Sequence, residues 1–258
     1  MAMYDNENTV VKSFDLTYVS EHLQQAQWAE FIELKKVVTV LYKRQGRPVS
    51  ILDIGIGNAR IPKHLSGVKE IWDMVATYDG TDNAQACVDI ASKNIADLNI
   101  ADKVHAYFFD GAKLDEWTKK YDLVITTWFT AGNFYPDDFS FETYQSTGKR
   151  LDLSTNEKFT TIFKNAYGLL NEGGALLIGA CYIDNASTRL KQEESYAKMG
   201  MTVITSAADS FTATREGFWS QRFTKEKLKQ YLYFVSPEKI QFTPLDTYDY
   251  AMQVSISK

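Results

Sequence analysis

The sequence predicts an α/β fold, one domain built on a mostly parallel β-sheet with helices on both faces. Three observations carry that expectation. From Val49 onward, short runs of β-branched and aliphatic residues alternate with segments of helical period. The early strand patterns each stop at glycine or acidic residues before the next helix pattern begins. At the far end, Met252, Val254 and Ile256 alternate with Gln253, Ser255 and Ser257, the period of a strand buried on one face. With 258 residues, 45% of them hydrophobic, and no linker or internal repeat, a single domain spanning 1–258 is expected.

Residues 1–48 precede the first strand and contain a helix pattern. Trp28, Phe31, Ile32, Val38 and Leu41 form its apolar face, with Glu30, Glu33, Lys35 and Lys36 opposite. Arg44, Gly46 and Pro48 mark a loop, and Val49–Ile54 reads as a strand covered on both faces. Gly55 and Gly57 then bend the chain into a helix carrying Ile61 and Leu65, which ends at Ser66-Gly67. A second strand over Met74–Gly80 leads through Thr81-Asp82-Asn83 to a helix with Cys87, Ala91, Ile95 and Leu98 on one face. The third strand, Lys103–Phe109, ends in Asp110-Gly111-Ala112, and the fourth is Tyr121–Thr127.

Residues 131–154 show little period. So long a connection inside a compact domain is expected to be a lid or substrate loop. Ser154 and Glu157 form a capping box for a helix bearing Phe159, Ile162, Phe163, Ala166, Leu169 and Leu170. Asn171-Glu172-Gly173-Gly174 closes it before a fifth strand, Ala175–Ala180. Asn185–Lys198 is helical in pattern and Met201–Trp219 is mixed, with Gly217-Phe218-Trp219 as a pocket wall. Thr224 caps a further helix, and two strands follow at Ile240–Leu245 and Ala251–Ile256.

The chemistry concentrates at Val49–Arg60. A glycine turn lets backbone approach a ligand closely, and the helix after it presents its positive end, so a ligand with a negative end belongs there. A dinucleotide loop takes glycine or alanine at its third position for close packing, where this chain has Arg60. The stretch Asp53-Ile54-Gly55-Ile56-Gly57-Asn58-Ala59 instead resembles motif I of the class I S-adenosylmethionine-dependent methyltransferases, and the order of elements resembles that family over residues 49–258.

The resemblance implies a seven-stranded, mostly parallel, doubly wound sheet with an antiparallel C-terminal strand. It also implies S-adenosylmethionine as cofactor and S-adenosylhomocysteine as product. Asp53 would lie near the methionine ammonium, with Gly55 and Gly57 lining the cofactor. Asp82 would accept from the ribose hydroxyls, with Asp79 as the alternative, since either could equally be a helix cap. Asp110 and Gly111 would meet the adenine, and Thr127 would stand at the end of the fourth strand beside the sulfonium. Phe129, Asn133, Phe134, Tyr135 and Trp219 would form an aromatic acceptor pocket, although aromatic side chains also fill cores. The N-terminal extension would fold over the cofactor as a cap, bringing Tyr4 and Tyr18 to the ligand, or else pack as an outer helix. No Asn/Asp-Pro-Pro-Tyr sequence follows the fourth strand, which speaks against amino-methylation of nucleic-acid bases.

A net charge of −5, without a run of Lys or Arg, argues against a nucleic-acid partner. Cys87 and Cys181 sit in apolar contexts and read as buried thiols. The longest apolar run, around Ala175–Tyr182, is too short to span a bilayer, so a cytoplasmic location is expected. No metal site is assigned. His64 and His105 read as structural, and His22 is the histidine kept open as a base. The resulting expectation is methyl transfer from S-adenosylmethionine to a small-molecule N, O, S or C nucleophile by direct displacement. The alternatives are methylation of protein or RNA, or adenosylmethionine binding without turnover.

Overall fold

The computed structural model describes Phe14, residues 20–147 and residues 151–258; Tyr4 and Tyr18 fall outside them. The first long helix, α1 (Glu21–Gln45), is opened by Ser20, whose hydroxyl accepts from Leu23 N, and closed by Gly46 in the left-handed conformation. Its inward face is Leu23, Ala26, Glu30, Phe31, Leu34, Val38 and Leu41. Two expectations change here: Trp28 is 59% exposed, whereas Glu30 is 1% exposed. The apolar repeat runs through the position of Glu30 and leaves Trp28 outside. The buried carboxylate is tolerated because it accepts a backbone N–H from the end of the fourth strand.

The strands follow as β1 (Val49–Ile54), β2 (Val75–Asp82), β3 (Val104–Phe108), β4 (Tyr121–Thr126) and β5 (Leu170–Ile183). They lie in the order β3-β2-β1-β4-β5, all parallel. The C-terminal strands β8 (Ile240–Pro244) and β9 (Ala251–Ser257) complete a seven-stranded sheet, with β9 antiparallel to β5 and β8 antiparallel to β9. An unforeseen hairpin, β6 (Phe211–Ala213) and β7 (Trp219–Phe223), extends the end of β5 through Tyr182↔Arg222 and Ile183↔Phe223. Sequence pattern hid it because β7 is buried along its whole length, Gln221 and Arg222 included. Arg222 is kept there by Asp184, Gln192, Thr212 and the Asp209 carbonyl.

Side-chain alternation along the strands builds two cores. Ile51, Leu123, Ile125 and Leu177 pack with Phe31, Leu34, Val38 and Leu41 of α1, with Ile61 and Leu65 of α2 (Arg60–Ser66), and with Ala91 and Ile95 of α4 (Gln85–Asp97). A short helix, α3 (Lys69–Trp72), separates the last two. On the other face, Leu52, Ile54, Val124, Leu176 and Ile178 meet Phe159, Ile162, Phe163 and Ala166 of α6 (Glu157–Gly168) and Leu228 and Tyr231 of α8 (Lys225–Tyr231).

Several boundaries move. β2 continues through Thr81 to Asp82. The cap of α6 is Asn156, which accepts from Phe159 N, rather than Ser154 with Glu157. Asn171–Gly174 belongs to β5, forming a bulge between Tyr121↔Leu170 and Leu123↔Ala175. The long connection holds α5 (Phe141–Thr147), and its Phe139, Tyr144 and Leu153 form a small core with Phe211, Ala213 and Trp219 of the hairpin. Thr224 caps α8 as expected, Asn185 caps α7 (Ala186–Lys198), and both cysteines are buried free thiols. Among the described residues, no helix is long and apolar enough to cross a membrane.

Candidate active site

Strand order reverses between β1 and β4, and in open α/β sheets ligands settle at such a point, beyond the carboxyl ends of the strands. A cavity of about 1230 Å³, its open mouth included, lies there. It is walled by the ends of β1 (Ile54–Gly57), β2 (Thr81–Asn83), β3 (Phe109–Gly111) and β4 (Thr127, Trp128).

The glycine turn is stitched to β2 before any ligand arrives. Gly55 N and Ile56 N both donate to the Thr81 carbonyl, at 2.7 and 2.9 Å. Gly55 and Gly57 have φ of +87° and +56°, and a Cβ on Gly57 would stand 2.8 Å from the Phe14 ring. Side chains are therefore excluded by conformation and by space. Phe14 brings one residue of the N-terminal extension onto the cavity wall.

Asp82 closes the turn from the other side. Its carboxylate accepts from Gly57 N and from Ala84 N, both at 3.0 Å. Burial raises its pKa, and the N–H groups of Ala84, Gly57 and Asn83 oppose that rise. Asp79 points elsewhere: it is buried, accepts from Lys119 Nζ at 2.6 Å and Tyr121 OH at 2.7 Å, and lies 3.3 Å from His105. Of the two acids weighed for this position, Asp82 is the one on the cavity wall.

Asp110 and Gly111 also line the cavity, with Asp110 accepting from Ala112 N at 2.9 Å, as do Thr127, Asn133, Phe134, Tyr135 and Trp219. Two of the expected site residues, Asp53 and Phe129, do not line the cavity. Asp53 lies beneath the cavity because it shares the strand face of Ile51, toward α1, while Ile54 reaches the wall. There it accepts from Tyr78 OH at 2.6 Å, while its Oδ1 has no hydrogen-bond partner among the described residues. Burial pushes its pKa up to about 7. Phe129 is turned away and stacks on Tyr182 with ring centroids 3.8 Å apart. Its φ of +61° directs the side chain into the core beside Leu23, Ala26 and Tyr250.

Sequence reading missed two cations on the wall, Arg60 and Lys158. Arg60 stacks its guanidinium carbon 3.6 Å over the Trp128 ring, and its charge interacts with Glu30 and Asp53. Burial lowers its pKa to about 10, against the pull of those acids. Lys158 pairs with Asp137 at 3.0 Å beside the Tyr135 ring. A carboxylate within the apolar stripe of α1 was the available signal for the first; nothing local marks the second.

No protein-family model and no curated protein matches the sequence. Solved structures do match the fold. The CcbJ methyltransferase from Streptomyces caelestis superposes with a TM-score of 0.59 at 12% identity, covering 100% of this chain and 98% of that one. The chain has the class I methyltransferase fold. A S-adenosylmethionine-dependent methyltransferase from Clostridium acetobutylicum gives a TM-score of 0.57 at 12% identity, covering 97% and 98%. The 1,6-didemethyltoxoflavin-N1-methyltransferase of Burkholderia thailandensis, with its substrate and S-adenosylhomocysteine bound, gives 0.53 at 14% identity, covering 100% and 91%. In this chain the sheet reversal gathers Gly55, Gly57, Asp82, Asp110 and Arg60 around the cavity.

Proposed function

We propose that this protein transfers the methyl group of S-adenosylmethionine to a small acceptor. One observation carries the reading: the Asp82 carboxylate is pinned by N–H groups of Gly57 and Ala84 at the mouth of a glycine turn, in a cavity at the sheet reversal. Two carboxylate oxygens offer about four lone-pair sites, so beside the N–H groups of Gly57, Ala84 and Asn83 Asp82 retains capacity for a ribose hydroxyl. Asp110 accepts from the adenine amine at the end of β3, with Gly55, Gly57 and Gly111 admitting the ligand close to backbone. Arg60 is the cation for the methionine carboxylate, and Asp53 acts on the ammonium from beneath the wall through its charge.

The residues fit the cofactor on their own terms: a buried Asp53 Oδ1 with no partner among the described residues, a left-handed glycine turn on the cavity wall, and a stacked guanidinium. Bound there, the cofactor supplies an electrophilic methyl on a sulfonium. Trp128, Asn133, Phe134, Tyr135 and Trp219 orient the acceptor and exclude water, and with charge dispersing in the transition state, alignment is the main contribution required. Among the described residues lining this cavity there is no histidine, so the reading suits an acceptor that presents its lone pair without deprotonation by an imidazole. The acidic net charge and the small-molecule substrate named for the Burkholderia thailandensis structure favour a small acceptor over a macromolecule.

Calorimetric titration with S-adenosylmethionine, S-adenosylhomocysteine and NAD tests the cofactor. Binding of both sulfur ligands with no heat from NAD is expected. Preference for NAD overturns the reading, and binding without turnover on a broad acceptor panel reduces it to a binding protein.

A further inference from the structure

A carboxylate outside the cavity wall accepts a hydrogen bond from one residue on it and interacts by charge with a second. Glu30, in the middle of α1, is buried, and both of its oxygens face Trp128 N, at 3.1 and 3.2 Å. Space has been left for it: a Cβ on Gly179 of β5 would overlap Glu30 Oε1. The N–H it holds opens an unusual turn. Trp128 and Phe129 both adopt left-handed backbone, with φ of +55° and +61°, a region that bulky side chains occupy only when their surroundings impose it. The indole so placed carries the Arg60 guanidinium at 3.6 Å, and Arg60 feels the charge of Glu30.

We propose that Glu30 is a positioning residue for the amino-acid end of the cofactor. It fixes the Trp128 turn by accepting its N–H, and it balances Arg60 so that the guanidinium lies against the indole, facing the cavity. The proposal rests on the reading that the cavity holds an adenosyl amino acid. Its physical content is selective: the nucleoside end is held by Asp82 and Asp110, which Glu30 does not touch. Removing Glu30 therefore weakens recognition of the carboxylate and leaves recognition of adenosine intact.

The test is calorimetric titration at pH 8, where Glu30, raised by burial to about 7, is ionised, of Glu30→Gln and Glu30→Ala with S-adenosylhomocysteine and, separately, with adenosine, alongside thermal melts. Glu30→Gln keeps an oxygen for Trp128 N and loses the charge; Glu30→Ala loses both. The expected result is a loss of S-adenosylhomocysteine affinity of about tenfold in Glu30→Gln and more in Glu30→Ala, as for charge-assisted contacts, with adenosine affinity unchanged in both. Equal weakening of both ligands marks a merely structural role and overturns the proposal. So does wild-type affinity for S-adenosylhomocysteine in folded Glu30→Gln. Failure of the wild-type protein to bind either ligand refutes the cofactor reading itself, a different outcome from either of these.

Discussion

The Asp82 carboxylate accepts the N–H of Gly57 at 3.0 Å and so ties the end of β2 to the glycine turn that follows β1. The bond joins two elements that are adjacent in the sheet but 25 residues apart in sequence, and the acid, which also accepts locally from Ala84 N, stands on the cavity wall. Much of the proposed cofactor site depends on this fixed acid.

Asp82→Ala is expected to weaken S-adenosylhomocysteine binding by about 1–3 kcal/mol, the range for lost hydrogen bonds to a charged group. Asp79→Ala serves as the contrast. It leaves ligand affinity unchanged and lowers stability, because Lys119 and Tyr121 lose their shared acceptor. Calorimetric titration of both variants, with melting curves, checks the pair, and the reverse pattern would assign the ribose role to Asp79.

Much of this site could be read from the chain because it lies at strand ends. Asp82 closes β2, Asp110 follows β3, and the glycine turn follows the apolar β1. The side chains that escaped reading depend on contacts distant in sequence. Glu30 meets Trp128 N across 98 positions, and Arg222 is satisfied by Asp184 just past β5, by Gln192 of α7 and by Thr212 of β6 together. Asp53 was expected on the rim as a motif residue and is not among the residues lining the cavity. Its parity with Ile51 sends it toward α1, a geometric consequence of strand alternation that family likeness does not convey.

Asp53 also sets a pH dependence. Burial, opposed by the Tyr78 hydrogen bond and the Arg60 charge, raises its carboxyl from 3.8 to about 7 in the folded protein. The folded state therefore holds this proton more tightly than the unfolded chain does. Its contribution to stability is complete below about pH 3.8 and is lost as pH rises through about 7. Glu30, raised by burial from 4.5 to about 7, acts with the same sign. Urea unfolding across this window is expected to show stability falling with pH by a few kcal/mol at most, and a shallower fall in Asp53→Asn. An identical slope in the two proteins would show that Asp53 does not titrate there.

Asp122 works in the opposite sense at the other end of the sheet. It is fully buried and accepts from both Arg47 Nη atoms, at 2.7 and 2.8 Å, from Ser50 N and Oγ at 3.0 Å, and from Asn171 Nδ2 at 2.8 Å. Burial raises its pKa, but these donors prevail and bring it down to about 2, so its stabilisation is present above about pH 3.8 and is lost as pH falls toward 2. Asp122→Ala leaves the Ser50 and Asn171 donors unsatisfied and is expected to cost about 3 kcal/mol of stability. Its effect on S-adenosylhomocysteine affinity should be negligible, because Asp122 stands at the start of β4, remote from the cavity wall.

Lys158 differs from Arg60 in how firmly its charge is already held. Arg60 is flanked by Glu30 and Asp53, whereas Lys158 pairs only at its side-chain tip with Asp137, whose side chain is 81% exposed. Such a rim pair contributes about 0–1 kcal/mol, so an anionic group entering beside Tyr135 can exchange with Asp137 at little cost. Lys158→Gln is thus expected to change stability by less than about 1 kcal/mol and to leave S-adenosylhomocysteine affinity as it was. In a panel of aromatic acceptors, it should raise KM for those bearing a carboxylate while leaving KM for uncharged analogues unaltered. A rise common to both classes would place Lys158 in packing rather than charge recognition, and weakened S-adenosylhomocysteine binding would move it to the cofactor.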